Sequence, residues 1–258
     1  YWYDHPPLGW LMIVPWMWIT SGFAAESVLI AGRLLMVITT TGSALLVYLI
    51  GRRLGMRRRF ALIAMSLFLF SPLSIHFHRM VLLDNLAVLL FLISMFLLLT
   101  PDRRIWPQQA GMVVFGLTVL TKETMLLLAP VTFMLLWQGS GRANRRYVLT
   151  LGLALFGSVV LFYPLMAALK GELLPGESHV SLMEAVHWHL FGRPGSGSVF
   201  LSDSNSRAIV ENWVQLDPWL PSLGLLTLPI GLWASRMRPL AVGVIALLAV
   251  LVRPGYLP

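Results

Sequence analysis

The stretch Gln109–Gln138, QAGMVVFGLTVLTKETMLLLAPVTFMLLWQ, decides the architecture, because its only charged residues, Lys122 and Glu123, stand side by side near its middle. As one long helix, it would send every later segment to the opposite side of a bilayer. As two helices turning at the charges, it returns the chain to the side it left. At about 1.5 Å per residue the halves 109–121 and 124–138 each reach only about 20 Å, against a hydrocarbon core of about 30 Å. The Lys122–Glu123 junction then lies below the membrane surface, where charges need a wet cavity or partners and mark a candidate site. A snorkelling pair at a hairpin tip is the plainer alternative.

The rest of the chain chooses between these readings. At 57% hydrophobic and 12% charged, with mean hydropathy +0.78, it carries more apolar surface than a water-soluble core of this length can hide. Apolar runs near 28–51, 60–76, 81–100, 109–121, 124–138, 147–168, 219–235 and 239–252 read as spans, all helical because lipid offers an open sheet edge no partner. With the hairpin in place, the twelve arginines at 52–59, 103–104, 142–146 and 236–238 share one face, opposed there only by Asp102. Positive charge marks the cytoplasmic side. The other face collects seven basic residues, ten acids and all six histidines. That concentration is more than depletion of arginine explains, and it points to a functional outer face. The fold expected is an all-α polytopic membrane protein.

Several classes drop out. The absence of cysteine excludes disulfides, thiol nucleophiles and cysteine-held metals. A pI near 10.6 invites nucleic acid, but no basic stripe interleaves with stacking aromatics, and the topology accounts for the charge. No P-loop, GxGxxG or nucleophile elbow is present. The chain opens on Tyr1 and ends after a short run past Arg253, so it is read as a single transmembrane domain fragment, 1–258.

On the outer face, 8–20 is apolar, too short to span, broken by Pro15 and set with Trp10, Trp16 and Trp18. It reads as an interfacial or re-entrant helix introduced by Pro6 and Pro7, which fix the presentation of Asp4 and His5. The segment 169–218 is a long outer loop, with a short helix expected from Ser181, where Ser181 and Glu184 have capping-box spacing. The run His76–Asn85 is a tight turn bearing His76, His78, Arg79 and Asp84. Asp84 falls in the first turn of the next span, where the helix dipole favours an anion, and Arg79 or Lys122 is its expected partner. A capping aspartate and a headgroup-anchoring arginine are the plain alternatives. His187 and His189 have i, i+2 spacing, a weak metal signal. Arg193, within Gly192-Arg193-Pro194-Gly195-Ser196-Gly197-Ser198, sets a guanidinium beside unhindered amides suited to a phosphate, or lies in a hinge.

Taken together, Tyr3-Asp4-His5-Pro6-Pro7-Leu8-Gly9-Trp10, Arg33, Arg79 with Leu83-Asp84-Asn85, and Leu120-Thr121-Lys122-Glu123 resemble the superfamily of protein O-mannosyltransferases and lipid A aminoarabinose transferases, polyprenyl-phosphate-dependent glycosyltransferases of the GT-C fold. The resemblance implies a GT-C-like helix bundle with an interfacial helix and one long outer loop. It places the first transmembrane helix, and the first outer loop with its catalytic acid, upstream of Tyr1. It further implies transfer of a sugar from a polyprenyl-phosphate donor to a lipid, protein or glycan acceptor, outside a prokaryotic plasma membrane. Asp4 resembles an acidic residue that helps hold a metal, which makes Asp4, His187 and His189 candidate ligands of a divalent metal, although His5 stands where the aminoarabinose transferases have Lys. Asp4, Asp84 and Lys122 become the catalytic candidates; Arg79, Lys122 and Arg193 become the donor-phosphate cations. The chemistry fits, since phosphate departure needs cations and the acceptor hydroxyl needs a base. A transporter or channel, with Asp84, Lys122 and Glu123 lining a path, is the rival class, and a scaffold with a partner-binding outer loop is a third. The transporter predicts inverted repeats, and none is visible.

Overall fold

The computed structural model describes residues 3, 5–23, 28–100, 104–177, 179–192 and 197–252. These fall into two compact units, Pro6–Val160 on the one hand and Tyr1–His5 with Leu161–Pro258 on the other. Among the described residues every regular element is helical, and the chain is an all-α polytopic membrane protein.

The Pro6–Val160 unit contains α1 (Leu8–Ile19), α2 (Val28–Arg53), α3 (Arg58–Phe70), α4 (Pro72–His78), α5 (Leu83–Leu98), α6 (Ile105–Thr121), a 3₁₀ turn (Glu123–Leu128), α7 (Ala129–Gly139) and α8 (Arg145–Val160). α2 packs between α3 and α5, α5 lies along α6, and α6 along α8. Small residues bring the backbones together, as they do where lipid supplies no hydrophobic drive. A Cβ at Gly116 would stand 2.8 Å from the Val159 side chain, and one at Gly111 would stand 2.9 Å from Leu98. Phe115 is fully buried between them and stacks on Phe156 at 5.2 Å.

The hairpin reading of 109–138 holds. α6 stops at Thr121, Lys122 is extended (φ −151°, ψ 120°), and α7 returns until Gly139 lies against the Gln108 side chain and the Leu98 carbonyl. The start of α6 and the end of α7 are therefore neighbours. At that same end, Arg53 lies over the Phe96 ring and Arg145 over Trp137. Asp84, at the start of α5, and Lys122 occupy the opposite end.

The span lengths need correction. Among the described residues, Val28–Arg53 and Arg145–Leu169 are the helices long and apolar enough to cross a bilayer unaided, or three crossings result if a bent pair counts as one. That pair is α3 and α4, the expected span 60–76, bent by 56°. The cause is local: Ser71 caps α4 by accepting from the Ser74 amide, and Pro72 cannot continue α3. The expected span 81–100 is a helix of 16 residues.

The other unit contains Tyr3, α9 (Phe162–Leu169), α10 (Leu182–His187), a π-helical turn (Trp188–Gly192), α11 (Asn205–Leu216), α12 (Trp219–Trp233) and α13 (Arg238–Val252). Its segment 161–192 is organised around Tyr3, Ala167, Leu182 and Ala185, all buried. The expected helix at Ser181 forms with both capping-box bonds, though it runs as α for only six residues. α11 lies where the sequence reading had loop. Ser204 caps it, and Ile209, Val210, Trp213 and Leu216 recur along one side at helical spacing. Asp217 then caps α12 by accepting from the Trp219 and Leu220 amides.

Candidate functional site

The site is built on two helix ends that meet. α5 begins at Leu83, so Asp84 sits in its first turn, where free amides and the dipole favour a carboxylate. α6 ends at Thr121, and the extended backbone of Lys122 carries its side chain out of the helical row. Lys122 Nζ donates to Asp84 Oδ2 at 2.7 Å. The lysine side chain is 12% exposed and the aspartate 42%, so the pair opens to its surroundings on the carboxylate side. Asp84 was expected to pair with Arg79 or Lys122, and Lys122 is the one it meets.

Two further residues hold this junction. Asn85, buried, donates from Nδ2 to the Met80 carbonyl at 3.0 Å and the Phe77 carbonyl at 3.3 Å. These bonds satisfy carbonyls left over where α4 ends and fix the turn that delivers Asp84. Gly9, in the first turn of α1, is wedged where a Cβ would stand 2.6 Å from Leu83 Cδ2, 3.1 Å from Thr121 Cγ2 and 3.3 Å from the Thr121 carbonyl. It thus touches the residues immediately before both members of the ion pair. α1 is held farther along by Trp16, whose indole donates to the Ala31 carbonyl at 2.8 Å, while Trp10 and Trp18 remain exposed.

The other sequence candidates are spread more widely. Arg79 caps α4, is exposed and joins no ion pair among the described residues, so it does not complete the Asp84 pair. Asp4 and Arg193 lie outside the described residues. His187 ends α10 with its ring 5.4 Å from that of Phe191, and His189 belongs to the π-helical turn. Among the described residues no three His, Asp or Glu side chains converge on a point that would hold a metal. In the same segment as His187 and His189, the Tyr3 hydroxyl donates to Glu172 at 2.5 Å, which holds that carboxyl below its usual range. Glu184 is lowered likewise, by the Ser181 amide and hydroxyl.

Sequence reasoning quoted Gly9 and Asn85 as motif letters without giving them work. The signal for Gly9 was its place two residues after the proline pair; for Asn85, an uncharged polar side chain next to Asp84 at the head of an apolar run.

An ammonium with two donors to spare can hold a phosphate oxygen, and the half-open carboxylate beside it can receive a proton. The family model described as dolichyl-phosphate-mannose-protein mannosyltransferase matches residues 6–165. No curated protein and no solved structure matches the chain. The matched stretch takes in the whole Pro6–Val160 unit, with the Gly9 wedge and the Asp84–Lys122 pair, and covers well over half the sequence. The chain therefore belongs to the dolichyl-phosphate-mannose-protein mannosyltransferase family, a membrane glycosyltransferase family.

Proposed function

We propose that the protein transfers a sugar, as its family's description suggests a mannose, from a polyprenyl-phosphate donor to a lipid, protein or glycan acceptor at the non-cytoplasmic face of a prokaryotic plasma membrane. The observation that carries this reading is the Asp84–Lys122 pair at 2.7 Å, set where two helix ends meet against the first turn of α1. The sugar–phosphate C1–O bond breaks, the acceptor oxygen bonds to C1, and the phosphate leaves on its lipid. Lys122 holds the departing phosphate, with Arg79 and Arg193 as further cations. The acceptor proton passes to a carboxylate, for which Asp84 and Asp4 are this chain's candidates.

Sidedness is supported by Arg53 and Arg145, which stand at the end of the Pro6–Val160 unit remote from the pair. The placement at a helix end, rather than mid-helix along a path, favours transfer over conduction. The described residues supply no metal ligand set, so no step is routed through a metal. A divalent ion would rest on Asp4.

The test is transfer of radiolabelled mannose from polyprenyl-phosphate mannose by the purified protein in proteoliposomes. Lys122→Met and Asp84→Asn are expected to lower kcat/KM at least 100-fold, with donor binding weakened most in the lysine variant. Parent protein that neither binds nor uses any polyprenyl-phosphate sugar ends the proposal, as do variants that transfer at the parent's rate.

A further inference from the structure

We infer that the outer segment carries a saccharide-binding cleft of its own, formed by Trp188, Glu184, His187, Met183 and Pro175. These side chains line an open cleft of about 460 Å³, within the range of about 300–1,000 Å³ usual for small-molecule sites. All five belong to one unit.

The local backbone is arranged for it. Ser181 N–H and Oγ both donate to Glu184 Oε2 at 2.9 Å, which fixes the carboxylate and leaves Oε1 to accept from a ligand. His187 follows three residues later on the same helical side and offers either a donor or an acceptor. α-Helical winding then gives way to the π-helical turn Trp188–Gly192, a rare conformation found often at functional sites. In that turn Gly192 lies against the indole, where a Cβ would stand 2.6 Å from Trp188 Cε3. The ring is thereby seated from below, yet stays 51% exposed.

An exposed indole beside one anchored acceptor and one imidazole matches a pyranose, whose C–H face stacks on aromatic carbons while its rim hydroxyls both give and accept hydrogen bonds. Two of the carboxylate's interactions are already used by Ser181. An ammonium ligand would therefore meet a partly satisfied anion, and it could use only the acceptor form of His187. A neutral saccharide uses the whole set. The binding stands apart from the transferase reading; only its use in retaining a glycan-bearing acceptor rests on that reading.

The test is isothermal titration of the full chain in detergent with methyl α-mannopyranoside and α-1,2-mannobiose. Saturable millimolar binding is expected, weakened at least tenfold by Trp188→Ala and restored most of the way by Trp188→Phe. Glu184→Gln, whose amide oxygen can still accept from Ser181, should also weaken binding. Met183→Trp, which fills the cleft from its edge, should abolish it, so the test survives if Trp188→Ala fails to fold. Absence of saturable saccharide binding, binding indifferent to all these changes, or preferential binding of ethanolamine or choline overturns the inference. The Asp84→Asn, Lys122→Met double variant should bind saccharide as the parent does. Parent protein that binds saccharide but neither binds nor uses a polyprenyl-phosphate sugar counts against the transferase reading alone, and parent protein that transfers sugar without saturable saccharide binding at Trp188 counts against the cleft alone.

Discussion

Gly9 is the residue on which the junction tolerates least change, because its neighbours are the side chain of Leu83 and both the side chain and the backbone of Thr121. Gly9→Leu should destabilise by about 1–3 kcal/mol, the usual cost of overpacking, yet lower transfer more than tenfold. The disproportion arises because the strain falls on the residues next to Asp84 and Lys122. Thermal melting and transfer rates on one preparation separate the two effects. For the pair itself, Lys122→Met should cost on the order of 1–3 kcal/mol. That is less than the ~3–5 kcal/mol of a fully buried pair, because Asp84 is 42% exposed. The Asp84→Leu, Lys122→Met double variant should melt closer to the parent than Lys122→Met does, since no lone charge is left behind; melting of the three proteins in one detergent checks it. Charges are so sparse in this chain that Asp84 and Lys122 stand out by inspection. Their pairing was legible only as one of two options, Arg79 or Lys122 for Asp84, because Lys122 lies 38 residues away and only the meeting of α5 with α6 selects it.

At the scale of elements, the hairpin at Lys122 and the helix at Ser181 were both legible, the first from charge and length, the second from capping chemistry. α11 was not, since its apolar positions are too few to stand out beside true spans, although Ser204 and the spacing from Ile209 to Leu216 carried the signal. The bend at Ser71-Pro72 was also written in the sequence, but hydropathy averages across it. In the segment 161–192, Ser181→Ala should cost about 1 kcal/mol, a typical N-cap loss. By contrast, Glu211→Gln should change stability little, because the Arg207–Glu211 pair is exposed on both sides. Acid should loosen this segment. The carboxyls of Glu172 and Glu184 are lowered in the folded state, so their contribution is present above the ordinary carboxylate range and is lost as pH falls through their folded values. Amide exchange or limited proteolysis of 170–192 should accelerate below that range, and Tyr3→Phe should remove the part due to Glu172.

Across the whole molecule the prediction concerns sidedness. The chain contains no cysteine, so a single thiol introduced at Arg142 or at Asp203 is unambiguous. In intact cells or spheroplasts a membrane-impermeant maleimide should label the thiol at 203 and spare the one at 142 until the membrane is opened. The opposite pattern would return 109–138 to one long helix and the long segment to the cytoplasm. The division into two units was not legible, because the boundary at residue 160 falls inside the apolar run 147–168, where no shift in composition marks it.

The seating of Tyr3 among Ala167, Leu182 and Ala185 has a consequence for biosynthesis. Its hydroxyl waits for Glu172, 169 residues downstream. At about 5–20 residues per second, that partner leaves the ribosome some ~10–30 s after Tyr3 does. Tyr3 must therefore stay unclaimed while the whole of 6–160 is made, and it reaches its final surroundings only once the chain has been made as far as Ala185.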